Sequence, residues 1–490
     1  MEIKFQQAKN GEKTACVGNL YLHSTYNPGK EAQRFVENLQ LQVNYKYIIV
    51  TEPALSYLGQ ALKNKFPNIK IGAIRYTKDF NDFNSVFDFV INAYENFENF
   101  DSYLLNKLGE ENLLETYFLY WEPSAKIFPE INKKIWQDIK KSIENAKTLL
   151  ITRQYFEKKW IKNTFKLVSN LKNTIILKEK INAPVIIIAS GSSLKPFLQL
   201  IKNNQKKFFI IVLSSATRVC LENEINPDLI LSTDGGFWAG QHLKILSKHT
   251  EIPLGLSAEA FASTNLLTKN SILPFYYSDG ISKKIFDLVQ VPSLELERNG
   301  TISGSALDFA LAYSSNEIYF FGLDLSTCKG FQHAQINELE LNSCIFDNKI
   351  NSSEKRSVKS QFSNTSLDIY KDWFANKNIN QRKVYRVIEK NQRKNQLGQI
   401  KDIDYEVFSK KCENYKEVSK ENYFKKTDFH NEKQILNNYL KNDFCQEDVK
   451  KQLYPLDYVL QFHENNTEIK DKIENNHKKL CEKIWRIING

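Results

Sequence analysis

The chain has 490 residues, too many for a single hydrophobic core, so two or three domains are expected. Its first ten residues lack the apolar stretch of a leader, and nowhere do the ~18 consecutive apolar residues of a membrane span occur, so a cytoplasmic protein is expected. The net charge of +10 raises nucleic-acid binding, but residues 351–490 hold 28 Lys and Arg against 21 Asp and Glu, while residues 1–350 hold 39 against 36. The excess therefore sits mostly in a tail where bases alternate with Glu, Asp and Asn, the pattern of a solvated helical face, and nucleic acid is not an expected partner. The seven cysteines are scattered without a C-x-x-C pair, which suggests neither a disulfide framework nor a zinc site.

In chain order, Tyr47–Val50, Pro53–Lys65 and Ile69–Ile74 read as a strand, a helix and a strand. The aromatic, acidic stretch from Phe80 to Trp121 reads as core in preference to a binding surface, and helical patterns run from Ile131 to about Leu171. From Ala183 onward the alternation is regular. Strands are predicted at 185–189, 208–213, 228–232, 253–256, 273–277, 292–296 and 317–322, with helices at 194–203, 216–223, 237–247 and 303–313. The fold class is therefore α/β: a central Rossmann-like, mostly parallel sheet, a small α/β domain before it and a helical domain after it. The expected domains are residues 1–175, 176–350, a lid or connecting segment at 351–400, and a helical region at 401–490. Within the third, Asn351–Ser360 reads as a mobile loop.

Ligands of such sheets bind at the carboxyl ends of the strands, so those ends carry the candidate site. Val185-Ile-Ile-Ile-Ala-Ser-Gly-Ser-Ser-Leu194 is a buried strand breaking into a small-residue turn, with Pro196 near the first helical turn. Gly191, Ser192 and Ser193 leave room for a ligand and backbone N–H groups to meet an anion, although a βα turn needs small residues on steric grounds alone. The turn lacks the Lys of a P-loop and the third Gly of a dinucleotide fingerprint. Ser214 and Ser215 end the next strand, with nucleotide contact or helix capping as their two readings. Asp234, followed by two glycines, is a carboxylate at a sheet edge or simply a turn residue. Asn299-Gly-Thr-Ile-Ser-Gly-Ser305 opens a helix, where Thr301 and Ser303 make a second anion site or an N-cap. The last strand ends in Phe321-Gly-Leu-Asp-Leu-Ser326, so Asp324 can orient a substrate hydroxyl. His333, seven residues beyond Ser326 in a loop on the same side, is a candidate general base. The other six histidines make no metal cluster.

Four segments, in this order and spacing, resemble the motility-associated factor (Maf) family of bacterial flagellin glycosyltransferases. They are Ala189-Ser-Gly-Ser-Ser-Leu194, Asn226-Pro-Asp-Leu-Ile-Leu-Ser-Thr-Asp234, Gly300-Thr-Ile-Ser-Gly-Ser-Ala-Leu-Asp-Phe-Ala310, and Phe321-Gly-Leu-Asp-Leu-Ser326 with His333-Ala334. Tyr21–Ala32 and Asp368–Trp373 resemble other family segments, and the likeness is best over residues 180–400. It implies a central domain similar to bacterial sialyltransferases, moving a nonulosonic, sialic-acid-like sugar from a CMP-activated donor to Ser or Thr of flagellin. Gly191, Ser192, Ser193, Ser214, Ser215, Thr301 and Ser303 would then bind the nucleotide, and Asp234, Asp324 and His333 would act on the reaction. Ser192 departs from the Pro common at this point in the family. With no Asp-x-Asp after the third strand, Mg2+ is admitted but not required, and the CMP-sugar is a co-substrate with no further cofactor. The same domain family includes archaeal 6-hydroxymethylpterin pyrophosphokinases, an ATP-dependent alternative in which carboxylates such as Asp234 would bind magnesium. A non-catalytic flagellin-binding scaffold is a third reading.

Overall fold

The computed structural model describes residues 2–325, 333–338, 341, 347–350, 352, 365–389, 396–420, 423–430 and 433–490. The chain divides into two compact units, Met1–Phe156 with Cys445–Lys479, and Glu157–Phe444 with Leu480–Gly490.

The first unit opens with a small antiparallel sheet of β1 (Lys4–Gln7), β2 (Lys13–Val17) and β3 (Leu20–Tyr21). A helix follows at Pro28–Glu37, started by the Asn27 side chain, which accepts from the Lys30 N–H, and by Pro28 in the first turn. Next come β4 (Tyr47–Thr51), β5 (Lys70–Arg75), β6 (Phe89–Asn92) and β7 (Thr116–Tyr120), a parallel sheet in the order β6-β5-β4-β7. The helix expected from Pro53 starts only at Tyr57, because Glu52, Ala54 and Ser56 take left-handed backbone conformations that break a right-handed turn. The aromatic stretch fills the core with Phe80, Phe87, Phe100 and Trp121, although Tyr120 is exposed. Helices Glu447–Leu453 and Pro455–Glu464 complete this unit, tied by Asn44 N–H to the His463 carbonyl (3.2 Å) and Gln154 Nε2 to Asp457 Oδ2 (2.8 Å).

The second unit is built on an eleven-stranded sheet. Its strands are β8 (Thr174–Leu177), β9 (Val185–Ile188), β10 (Phe209–Leu213), β11 (Leu229–Ser232), β12 (Leu254–Ser257), β13 (Ile272–Tyr277), β14 (Leu294–Leu296), β15 (Ile318–Phe321), β16 (Val384–Ile388), β17 (Lys401–Asp404) and β18 (Phe424–Thr427). The order is β17-β16-β15-β9-β10-β11-β12-β13-β8-β18, with β14 also on β13. Every pairing is parallel except that of β18 with β8. Strands β9 to β12 are buried at every residue, as the unbroken apolar runs demand.

Two further features differ from the sequence reading. The helix expected at 194–203 begins as a 3-10 turn, Ser192–Phe197, and becomes α-helical only at Leu198, since Pro196 cannot donate to the ladder. The region from Asp402 onward, read as strand-free, contributes most of β17 and all of β18. Both are edge strands, half exposed and rich in Lys and Asp, so they lack the apolar signal of the central strands. The loop expected as a lid, Asn351–Ser360, lies outside the described residues except for Ser352. Of the residues whose spacing suggests helices beyond Asp402, Tyr439, Phe444, Ile473, Leu480 and Ile484 are buried and Ile435 is half-buried. Among the described residues no helix is long and apolar enough to cross a membrane.

Candidate functional site

From β9 the chain winds through β10, β11, β12 and β13 in one direction, then returns to lay β15 on the other side of β9. The crevice at the carboxyl ends of β9 and β15 is thus the topological switch point, where sheets of this kind bind ligands. The predicted turn Gly191-Ser192-Ser193 ends β9, and Gly322-Leu323-Asp324 ends β15.

These two turns are interlocked. Gly191 donates its N–H to the Gly322 carbonyl (2.9 Å) and Ser193 donates its N–H to Asp324 Oδ2 (3.0 Å). The Ser192 hydroxyl donates to the same oxygen (3.4 Å), and the Ser193 hydroxyl to Asp324 Oδ1. A Cβ on Gly191 would lie 2.5 Å from Asp324 Oδ2 and closer still to the Gly322 carbonyl, and Gly322 takes φ +67°, so both positions require glycine. This corrects one expectation. The N–H groups of Gly191 and Ser193 are not left for an anion, because the buried Asp324 carboxylate and the Gly322 carbonyl already accept them.

On the other side of β9, the Ser215 hydroxyl donates to the Ser190 hydroxyl (2.8 Å), while Ser214 is buried beneath. Ser190 belongs to the small-residue turn read from sequence, though not to the residues expected to bind the nucleotide. The segment 333–338 crosses these turns. Ala334 donates its N–H to the Ser190 carbonyl (2.7 Å), and Asn337 Nδ2 donates to the Ser215 carbonyl (2.9 Å). His333 is thereby delivered beside the crevice. Burial first, and the neighbouring His242 second, lower its pKa to about 4, so it is a neutral imidazole at physiological pH.

Thr301 and Ser303 start the helix Ile302–Tyr313, which packs on β9, β10 and β11. Because this helix precedes a parallel strand, its positive N-terminal end lies at the carboxyl edge of the sheet. The Thr301 side chain does not cap the helix; its hydroxyl bonds that of Ser303 (2.9 Å), and its N–H donates to Asn299 Oδ1 (3.0 Å). Asp234 stands apart. Its Oδ1 accepts the Gly236 N–H (2.8 Å), and among the described residues that side chain bonds only within its own turn.

Beyond Asp234, Glu259 after β12 accepts both Arg298 terminal nitrogens (2.9 and 2.6 Å), and Asp279 after β13 accepts the Arg298 Nε. Arg298 also lies over the ring of Tyr277 (4.7 Å). Burial pushes the Tyr277 phenol up to about 12 although a hydrogen bond with Ser305 opposes this, so it stays protonated. A cavity of about 860 Å3 lies farther along the sheet, lined by Glu295, Glu297, Asp308, Trp373 and Lys377 among others. None of the predicted site residues lines it, and Lys377 bridges Glu297 and Asp308 there.

Three similarities bear on this arrangement. Residues 158–330 match the family described as 6-hydroxymethylpterin diphosphokinase MptE-like. An uncharacterized protein of Treponema pallidum (strain Nichols) is 29% identical over 309 residues, 63% of this chain and 67% of that protein. The solved structure of a Maf glycosyltransferase from Magnetospirillum magneticum AMB-1 superposes with a TM-score of 0.52 at 12% identity, over 100% of this chain and 91% of that one. The chain therefore has the fold of that glycosyltransferase, and its central region carries the MptE-like domain.

Proposed function

We propose that the protein is a glycosyltransferase that moves a nonulosonic, sialic-acid-like sugar from a CMP-activated donor to Ser or Thr of flagellin, and so supports flagellar assembly and motility. The observation that carries the reading is the switch-point crevice, in which a small hydroxyl-rich turn, a buried carboxylate and a neutral histidine meet in a fold shared along its whole length with a Maf glycosyltransferase.

The chemistry follows from the charges. Asp324 only accepts hydrogen bonds and repels a phosphate, so its place in the turn suits a ribose hydroxyl of the nucleoside. The donor phosphate then belongs toward the serine hydroxyls and the N-terminal end of the helix that starts at Thr301 and Ser303. His333, uncharged, takes the proton from the acceptor hydroxyl as it attacks the anomeric carbon and the C–O bond to CMP breaks. Positioning and stabilisation of the leaving phosphate supply the rest of the rate. In this reading Asp234, exposed beside two glycines, meets the sugar or its acceptor.

The match of residues 158–330 to the MptE-like family favours a second reading, an ATP-dependent diphosphotransferase acting on a pterin. Calorimetric titration with CMP and, separately, with ATP plus magnesium separates the two, followed by mass spectrometry of flagellin incubated with a CMP-nonulosonic acid. Saturable CMP binding and a glycosylated product are expected. Magnesium-dependent ATP binding without CMP binding would transfer the assignment to the diphosphotransferase, and binding of neither would leave a flagellin-holding scaffold.

A further inference from the structure

The segment that carries His333 is anchored by more than backbone contacts. Glu338, about nine-tenths buried, accepts Arg218 Nε at Oε1 (2.7 Å) and faces His242 Nδ1 at Oε2 (3.0 Å). Arg218 lies on the helix Thr217–Glu222 that follows β10, and His242 on the helix Phe237–Leu243 that follows β11. One carboxylate thus joins the segment to two helices, while Ala334 and Asn337 join it to the turns after β9 and β10. A carboxylate only accepts, so His242 must carry its hydrogen on Nδ1. Burial alone would raise the pKa of Glu338, but the hydrogen bonds from His242 and Arg218 outweigh it and hold the carboxyl below its ordinary range, charged as the arrangement needs.

We infer that Arg218, Glu338 and His242 form a charge clamp that seats the 333–338 segment over the carboxyl ends of β9 and β10, and so positions His333 for its part in the reaction. They are positioning residues: each acts through the segment and none needs to touch substrate. The part played by His333 rests on the glycosyltransferase reading, whereas the clamp itself does not.

The test is peptide-level hydrogen exchange on the full chain. Glu338→Gln keeps the shape but loses the charge, and exchange in the peptide covering 333–338 should accelerate by about 10- to 100-fold, including the Ala334 amide that donates to Ser190. Glu222→Gln touches Arg218 from the exposed side at 3.4 Å and should leave that peptide unchanged. Unaltered exchange at 333–338 in Glu338→Gln would overturn the clamp. Should exchange rise throughout the second unit, His242→Gln decides, since it removes one arm only: a local rise supports the clamp and no change overturns it. In transfer assays, Glu338→Gln should lower kcat with little change in donor KM, and Glu338→Asp should recover part of the loss. A wild-type protein that transfers no sugar, yet shows the local rise in Glu338→Gln, would leave the clamp standing and remove the glycosyltransferase reading.

Discussion

Both units contain a largely parallel sheet whose strand order reverses, beside β4 in the first and beside β9 in the second, yet the two switch points are built in opposite ways. In the first unit the reversal falls between β4 and β7, and its carboxyl end is plugged. Arg75, fully buried, donates to Glu52 Oε1 (2.9 Å), the Ala54 carbonyl (2.8 Å), the Ser56 hydroxyl (2.7 Å) and Asn84 Oδ1 (2.8 Å). Trp136 Nε1 donates to the Thr51 hydroxyl (3.3 Å), Trp121 packs against His23, and Leu55 donates its N–H to His23 Nε2 (3.3 Å). In the second unit the same place holds glycines, serines and one carboxylate. A shared topology makes a crevice; the side chains at the strand ends decide whether it is a core or a site.

The contrast can be broken from either side. Arg75→Ala should have the largest effect, because it strips the ion-pair partner from Glu52, whose pKa burial already raises, and frees three left-handed residues. A loss of about 3–5 kcal/mol is expected in the unfolding free energy of the first unit, measured by denaturant titration. A loss below about 1 kcal/mol would mean that the plug is not structural. Gly191→Val should cost about 1–3 kcal/mol by overpacking the interlocked turns, and it should also abolish nucleotide binding in calorimetry. Unchanged nucleotide affinity in a folded variant would remove the site from the switch point. The mildest test is pH. His333 has its pKa lowered to about 4 in the folded protein against about 6.5 when exposed, so it favours folding fully above pH 6.5 and progressively less as the pH falls toward 4. As a base it stays unprotonated to well below neutrality, and the transfer rate should hold from pH 7 to pH 5. An acid limb near 6.5 would assign the base elsewhere.

The legible part of the fold is the part buried on both faces. The strands read at 185–189, 208–213, 228–232 and 317–322 are β9, β10, β11 and β15 within one or two residues, since a central parallel strand must be apolar throughout. Edge strands obey no such rule, and β17 and β18 pass unnoticed among Lys and Asp, while β16, paired on both sides, is missed because Arg386 interrupts its apolar run. In the candidate site, Gly191 and Asp324 were legible singly from their positions at strand ends. That Asp324 fills the very turn expected to receive an anion was not, because residues 131 apart in sequence meet only through the crossover. Glu338 and His242 were invisible for the same reason, their pairing being a product of two helices and a returning segment.

The first unit is not finished by its own first 156 residues, for the helices that close it come from residues 445–479, and the last eleven residues return to the second unit. A ribosome therefore releases the second unit's sheet before the first unit can be sealed, and neither unit is whole until residues 445–490 have been made. A protein so interleaved should resist being cut into separately expressed halves. It also gives quality control a simple criterion, since a chain arrested anywhere before residue 445 leaves uncovered the surface around Asn44, Tyr45 and Gln154 on which those late helices pack.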